Sequence, residues 1–315
     1  MAEEHGSPEH SPPRFSGIRT FARLPHRPGA AGADVAVLGV PFDVGTSFRP
    51  GARFGPEAIR SASALLRPYD PALGVDVLGA LEIVDAGDVA ATTPGDAERA
   101  VSQIAEGLAE VVGGGALPLV LGGDHLIALA ELRALAARHG PLALVLLDSH
   151  ADTWDSYGGQ RYFHGTPFRR AVEEGLLDPS RSLLAGMRGP IYGPEDLTDA
   201  EALGFELLPW YELRGLTPAD YAARVRDRVG EGTAFLSFDV DFVDPAFAPA
   251  TGTPEPGGPS SADALEYVRS LQGIDFRGFD VVEVAPAYDS PGQQTALLAA
   301  NVAYAMLALV ALSRR

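Results

Sequence analysis

Short runs of uninterrupted apolar residues, alternating with longer helix-like stretches, set the pattern of this 315-residue chain. Asp34-Val-Ala-Val-Leu-Gly-Val-Pro-Phe42 is the first such run, and Leu117-Pro-Leu-Val-Leu121 and Leu142-Ala-Leu-Val-Leu-Leu147 repeat it. A strand with one wet face alternates apolar and polar residues, so a strand apolar throughout is one covered on both faces. Strand-like and helix-like segments follow through residues 77–85, 96–112, 117–122, 126–138, 142–147, 167–175, 182–186, 218–229, 234–238, 262–271 and 280–284 to a last helix. This alternation predicts an α/β fold of three layers, a mainly parallel sheet covered by helices on both faces. No repeat, low-complexity linker or composition break interrupts it. A single domain over residues 21–315 is expected behind a flexible tail of residues 1–20.

In open parallel sheets ligands bind beyond the carboxyl ends of the strands, and three of those ends here carry one chemistry. Residues 117–121 run into Gly122-Gly-Asp-His125, residues 142–147 into Asp148-Ser-His-Ala-Asp152, and residues 234–238 into Asp239-Val-Asp241. Period-two geometry points Asp239 and Asp241 to the same side. Carboxylates gathered at the end of a core strand repel each other and lose hydration unless a cation or a set of donors compensates. Of the seven histidines, three lie in the first 26 residues and His139 ends a helix-like stretch; His125, His150 and His164 all fall in or beside the clusters. Singly, each histidine reads as a structural hydrogen-bonder. Two His and four Asp at matching strand ends read as a metal site.

An imidazole and carboxylate set without sulfur suits hard or borderline divalent ions, and six ligands exceed what one zinc takes. Two ions about 3.5 to 4 Å apart, sharing carboxylates, fit the set. Four carboxylates offset two divalent cations and leave a bridging hydroxide to be matched by a cationic substrate. The expectation is a hydrolase whose nucleophile is metal-activated water.

Composition narrows the chemistry further. All 24 basic residues are Arg, which excludes a Schiff-base lysine and a standard P-loop, so Gly45-Thr-Ser-Phe-Arg-Pro-Gly-Ala-Arg-Phe-Gly-Pro56 is no phosphate cradle. Cysteine is absent, which excludes thiolate catalysis, zinc-thiolate sites and Fe–S clusters. With 42 acidic residues the formal charge is −18, which disfavours nucleic-acid and anionic-membrane surfaces and suits a cationic ligand. Residues 1–13 lack the basic and apolar run of a signal peptide, and the apolar stretch 295–312 carries Asn301 and Tyr304. A cytoplasmic protein is expected, with that stretch a core or subunit-interface helix and no membrane partner.

Gly122-Gly-Asp-His125, Asp148-x-His-x-Asp152 and Ser237-x-Asp-x-Asp241, followed by Asp244-Pro and Gly252-Thr-Pro-Glu-Pro-Gly-Gly258, resemble the signatures of the ureohydrolase (arginase/agmatinase) family. That family includes arginases, agmatinases, guanidinobutyrases and formimidoylglutamases, and the likeness runs from about Phe21 to the C-terminus. It implies an arginase-like fold, two manganese ions per chain, and cleavage of a guanidinium group to urea plus an amine. Carried over position by position, one manganese takes His125, Asp148, Asp152 and Asp239, and the other His150, Asp148, Asp239 and Asp241, with Asp148 and Asp239 bridging. Asp152 also orients the attacking hydroxide. Glu283, in Val281-Val-Glu-Val-Ala-Pro286, matches the glutamate that pairs with the guanidinium, a planar fork suited to a carboxylate. His164, in His164-Gly-Thr-Pro-Phe168, matches the family's proton-transfer histidine, whose near-neutral pKa suits protonation of the leaving amine.

Residues 154–163 lack the Ser- and Asn-rich segment with which arginases hold an α-amino acid, and with Pro41-Phe-Asp-Val-Gly-Thr-Ser47 they resemble the agmatinase branch. Agmatine or a related small cationic guanidino compound is the expected substrate, with guanidinobutyrate or another guanidino acid as the alternative. A formimidoylglutamase and a non-catalytic oligomeric homologue come next; the complete six-ligand set disfavours a mononuclear zinc deacetylase. Asp155 and Glu255 are candidates for reading the amine of agmatine, and Arg161 for reading a carboxylate. Leu126, Ser149 and Ser290-Pro-Gly-Gln-Gln-Thr295 depart from the usual pattern without removing a ligand. The likeness also implies a homo-oligomer, trimer or hexamer.

Overall fold

A computed structural model describes residues 13–91, 93 and 95–314. Its strands are β1 (Val35–Val40), β2 (Tyr69–Asp70), β3 (Val75–Asp76), β4 (Ile83–Asp88), β5 (Leu117–Gly122), β6 (Ala143–Leu147), β7 (Leu183–Ala185), β8 (Glu206–Leu208), β9 (Thr233–Asp239) and β10 (Asp275–Val282). β2 and β3 form a small antiparallel pair. The others build one 8-stranded sheet in the order β4-β1-β5-β10-β9-β6-β7-β8. Every neighbouring pair in it is parallel.

Strand order departs from chain order in a way that builds the site. After β5 the chain jumps to β6, runs outward through β7 and β8, and returns to fill the gap with β9 and β10. The four central strands β5, β10, β9 and β6 are therefore neighbours, and His125, Glu283, Asp239 and Asp148 lie at or just beyond their carboxyl ends. A reversal of winding at the sheet centre opens the crevice in which ligands sit.

The pleat divides the apolar runs between two cores. Val35 and Val37 of β1 and Val145 and Leu147 of β6 join one buried cluster; Ala36, Leu38, Leu144 and Leu146 join the other. Ile59, Val268 and Leu307, from helices Gly55–Ser63, Ser261–Ser270 and Gln294–Ser313, cover the first. Ile104, Leu132 and Phe168, from helices Ala97–Gly113, Ile127–His139 and Pro167–Glu173, cover the second. Each fully buried Leu or Ile contributes roughly 1.5–3 kcal/mol relative to exposure, so continuous apolar strands commit the sheet to two covered faces.

Helix Gln294–Ser313 is long and apolar enough to cross a membrane, yet 83% of its most apolar window is buried inside the fold, making it a core helix. Its first turn is capped from outside by Asp289, whose carboxylate accepts the Thr295 and Ala296 N–H groups, each at 3.1 Å. The atypical segment Ser290–Thr295 thus serves a helix start. Residues 77–85 were expected as one strand; instead Asp76 accepts the Gly79 N–H at 3.1 Å and starts a short helix, Val77–Ala80, before β4. Helix Glu195–Ala202 and β8 were not anticipated. Thr20 is already buried, and Phe21 is fully so, its N–H donating to Asp85 Oδ2 at 2.7 Å. Residues 1–12 of the expected tail, with His5 and His10, lie outside the described residues.

Candidate metal centre

Three strand ends converge on two groups of ligand atoms. His125 Nδ1 lies 3.1 Å from Asp148 Oδ2, 3.0 Å from Asp152 Oδ2 and 3.3 Å from Asp239 Oδ2. His150 Nδ1 lies 3.1 Å from Asp241 Oδ2 and 3.5 Å from Asp148 Oδ1. Asp148 offers one oxygen to each ring, as a bridging carboxylate does, whereas Asp239 groups with the His125 side. Within each group, His125–Asp148–Asp239 and Asp148–His150–Asp241, the candidate ligand atoms lie within 4.8 Å of one another. Local chain geometry aims these groups. The Asp241 N–H donates to Asp239 Oδ1 at 2.8 Å, leaving Oδ2 for the centre, and the Ser149 hydroxyl donates to Asp241 Oδ1 at 2.6 Å.

A hydrogen-bond chain fixes the state of His125. Ser237 Oγ donates to Asp280 Oδ1 at 2.7 Å, so it accepts from His125 Nε2–H at 2.8 Å, and Nδ1 faces the carboxylates as a bare lone pair. His125 Nδ1, Asp148 Oδ2 and Asp241 Oδ2 are all buried without a hydrogen-bond partner. Lone pairs crowded together without a donor need a cation, and imidazole with carboxylate oxygens suits a hard or borderline divalent one. The residues fit two such ions. Without them Nδ1 is the atom that takes up a proton: burial opposes a charged His125, but a proton placed on Nδ1 is shared with Asp148, Asp152 and Asp239, and these hydrogen bonds hold its pKa well above the imidazole range. Burial, then the charges of Asp241 and Asp148, push Asp239 well above the usual carboxylate range.

Beside the ligands stands an acid with one engaged oxygen. Glu283 follows β10 in the left-handed region, at φ 65, and its Oε1 accepts the His125 backbone N–H at 2.8 Å and His164 Nδ1–H at 3.0 Å. Its Oε2 is buried and has no partner. His164 Nε2 meets Ser47 Oγ at 2.9 Å. Burial disfavours the imidazolium, but the charge and hydrogen bond of Glu283 outweigh it and lift His164 to about 9. Asp124, within the Gly-Gly-Asp-His motif, accepts the Gly45 N–H at 2.7 Å and the Leu126 N–H at 3.0 Å, tying the loop that carries Ser47 to β5. Burial, then the charge of Glu283, raise it to about 8.

A cavity of about 640 Å³ opens over this centre, lined by His150, Asp152, His164 and Asp239 at one end. Trp154 and Tyr157, stacked at 5.5 Å, wall it, and behind them Tyr157 stacks on Phe163 at 4.8 Å, which meets His164 edge-on at 4.7 Å. Of the three residues expected to read the far end of a substrate, only Glu255 lines this cavity. Asp155 pairs with Arg170 at 2.7 Å beside an outer pocket, and Arg161 pairs with Glu173 at 2.9 Å. Both are drawn off by opposite charges on the helix that follows them. Arg214, not anticipated, also lines the cavity. Arg188 does too, but it donates to the carbonyls of Asp241, Phe242 and Glu255 at 2.7, 2.9 and 2.7 Å, stitching loop 252–258 to the turn after β9.

Sequence reading also passed over Asp280 and Ser47. The signal for Asp280 was present, since an acid inside the apolar run Gly278-Phe-Asp-Val-Val282 needs a buried partner.

A central parallel sheet that gathers paired candidate metal ligands beside an unpaired buried carboxylate has the make-up of a metal-dependent hydrolase for a cationic substrate. Residues 33–308 match the arginase family. The guanidinobutyrase of Pseudomonas aeruginosa is 46% identical over 301 residues, covering 95% of this chain and 94% of that one. The mitochondrial agmatinase of Gallus gallus is 44% identical over 299 residues, covering 93% and 86%. The solved proclavaminate amidinohydrolase of Streptomyces clavuligerus superposes with a TM-score of 0.89 at 42% identity, covering 95% of this chain and 99% of that one. This chain belongs to the arginase family, and it is a hydrolase acting on guanidino groups.

Proposed function

We propose that this chain hydrolyses a short linear guanidino acid of the 4-guanidinobutyrate type to urea and the corresponding amino acid. The observation that carries the guanidino chemistry is Glu283 Oε2, a buried carboxylate oxygen with no partner at the edge of the metal centre. A guanidinium offers planar N–H donors and a positive charge to such an oxygen. Arg214 on the cavity lining supports a carboxylate at the far end, and the likeness to a guanidinobutyrase agrees with it. Agmatine, the first expectation from sequence, is the second reading; Glu255 favours it, an acid on the same lining whose carboxylate accepts no hydrogen bond among the described residues.

The residues divide the work. His125, Asp148, Asp152 and Asp239 would hold one ion and His150, Asp148, Asp239 and Asp241 the other; when bound, two manganese ions supply the Lewis acidity that activates water. Glu283 fixes the guanidinium plane through Oε2 while its Oε1 anchors His125 and His164. His164 keeps Nδ1–H on Glu283, and Nε2, which accepts the Ser47 N–H at 3.2 Å and lies beside the Ser47 hydroxyl, is the nitrogen that first takes up a proton and then passes it to the leaving amine. The aromatic wall takes the aliphatic spacer and keeps bulk water from the reacting carbon.

Urea release by manganese-loaded protein tests this on a panel of 4-guanidinobutyrate, 3-guanidinopropionate, agmatine, arginine and free guanidine. Preference for a guanidino acid, lost in Asp241→Ala, is expected; preference for agmatine selects the second reading. Release of no urea from any member, with two metals bound, overturns both. The chain is further read as a cytoplasmic homo-oligomer, trimer or hexamer, with one catalytic domain; exposed Phe48, Phe54 and Phe247 support the association, and light scattering gives the number.

A further inference from the structure

Residues 153–163 and 187–193 form two loops on the rim of the cavity, and one carboxylate ties them together. Asp196 Oδ1 accepts Trp154 Nε1–H at 3.0 Å, and Asp196 Oδ2 accepts the Tyr192 N–H at 2.8 Å. The first loop has other anchors beside Trp154: its N–H donates to Gly165 O at 3.0 Å, Arg169 Nε donates to Thr153 O at 2.7 Å, and a Cβ on Gly165 would come within 3.0 Å of the indole. The second loop is anchored at Arg188, whose N–H donates to Ser149 O at 3.1 Å. Beyond it, across residues 189–192, the Tyr192 N–H makes the one backbone hydrogen bond found among the described residues. Trp154, Tyr157, Tyr192 and Asp196 line both the main cavity and the outer pocket of about 230 Å³, so they form the partition between the two. In that partition Trp154 stacks on Tyr157 at 5.5 Å and meets Tyr192 at 5.8 Å, the latter rings tilted by 57°.

We infer that Asp196 is a positioning residue for substrate binding: by holding the Trp154 indole and the Tyr192 backbone on one carboxylate, it closes the partition along which the substrate's chain lies. Both oxygens are needed, because each N–H takes its own acceptor and an ionised acceptor makes the stronger bond. With both N–H groups held, the two rings are ordered before substrate arrives. With neither held, binding must order them, and that cost falls on affinity rather than on the bond-breaking step. Asp196 stands apart from the reacting groups: it lies in the first turn of helix Glu195–Ala202, and its side chain hydrogen-bonds to Trp154 and Tyr192 alone among the described residues. An acid in a first turn also favours its helix through the helix dipole, which is the competing structural account of the same residue.

This role rests on the proposed function in taking the cavity as the substrate's, so one measurement uses substrate and one does not. Urea release by full-length, manganese-loaded protein, from whichever panel member wild type hydrolyses best, is followed for Asp196→Ala, Asp196→Asn, Trp154→Phe and the Asn–Phe double variant, with melting temperatures. Asp196→Ala is expected to raise KM about 5- to 100-fold, the cost of ordering two ring side chains on binding, and to leave kcat within about threefold. Asp196→Asn can turn its oxygen to the Tyr192 N–H, but its amide N–H₂ then faces the indole N–H, which Trp154→Phe removes. Asn should therefore raise KM in the wild-type background and change it by less than about twofold on Trp154→Phe. A helix-dipole role alone predicts a lower melting temperature with KM unmoved and the Asn and Phe effects additive, and that result overturns the positioning role. The chain has 2 tryptophans, so in a Trp210→Phe background the emission comes from Trp154 and reads the partition without substrate. Asp196→Ala should then make Trp154 more open to acrylamide quenching; equal quenching with and without Asp196 overturns the hold on the indole. No urea from wild type on any panel member removes the proposed function, and the quenching still decides what Asp196 holds. Should Asp196→Ala fail to fold, Asp196→Asn carries the same comparison.

Discussion

Glu283→Gln isolates the step that makes this a guanidino site. The amide oxygen can keep the Oε1 position, where the His125 N–H arrives at 2.8 Å and His164 Nδ1–H at 3.0 Å, so the ligand cluster and the imidazole stay in place. The amide N–H₂ must then occupy the Oε2 position, presenting donors to a donor. Leaving a buried cation without its counter-charge costs about 3–5 kcal/mol, which at about 1.4 kcal/mol per tenfold lowers kcat/KM by about 10² to 10⁴. A second effect follows from charge. Glu283 is the largest influence raising His164 to about 9 against the opposing effect of burial, so its neutralisation lowers the His164 pKa and moves the alkaline limb of the pH–rate profile to lower pH. Urea release across pH, with manganese content and melting temperature as controls, reads all three. A loss below tenfold with an unmoved alkaline limb, in folded and metal-replete protein, refutes the pairing of Glu283 with the guanidinium.

Other outcomes follow from the same geometry. In metal-free protein His164 has its folded pKa raised to about 9 from 6.5, so its contribution to stability is present below 6.5 and is lost as pH rises through about 9. Asp124, raised to about 8 from 3.8, acts with the same sign, while the lowered Asp148 changes stability only on the acid side of the carboxylate range. The melting temperature of stripped protein is therefore expected to fall between pH 6.5 and 9, and a rise over that window would sink the assignment. Gly45→Ala places a Cβ 3.0 Å from Asp124 Oδ2 and 3.1 Å from the His164 backbone nitrogen, so about 1–3 kcal/mol of stability and most of the activity should go; calorimetry with urea release checks both. Arg214→Ala should raise KM for guanidino acids and spare agmatine, while Glu255→Gln should do the opposite; equal effects on both substrates would remove these residues from end-group recognition.

The sheet and the candidate metal ligands were legible for one reason: each ligand motif begins where a continuous apolar run stops. Asp148 directly follows β6 and Asp239 closes β9, so finding the runs found the acids. What lies beside what was not legible. Ser237 and Asp280 are 43 residues apart and meet because β10 inserts next to β9, an arrangement that period and propensity do not encode. β8, three residues with a half-buried Glu206, carries too little apolar length to announce itself. Asp155 and Arg161 misled because a charge near a motif invites a functional reading, whereas Arg170 and Glu173 satisfy them within one helix of the same loop.

Of the six non-glycine residues with left-handed backbone among the described residues, two stand at the candidate centre. Asp152 and Glu283 adopt left-handed backbone, at φ 50 and 65, where a non-glycine residue costs about 1–2 kcal/mol. Had Glu283 continued β10 as an extended residue, the pleat would have sent its side chain into a face of the sheet among the apolar residues that Val281 and Val282 join. The left-handed turn instead swings it beyond the sheet edge, where Gly123 O accepts its N–H at 2.8 Å and holds the strained conformation in place. Glycine would relieve the backbone at either position and remove the carboxylate that the conformation exists to aim. Stability therefore disfavours both residues as they stand, and what the strained turns aim is a carboxylate at the candidate metal centre and, beside it, one with an oxygen left unpaired.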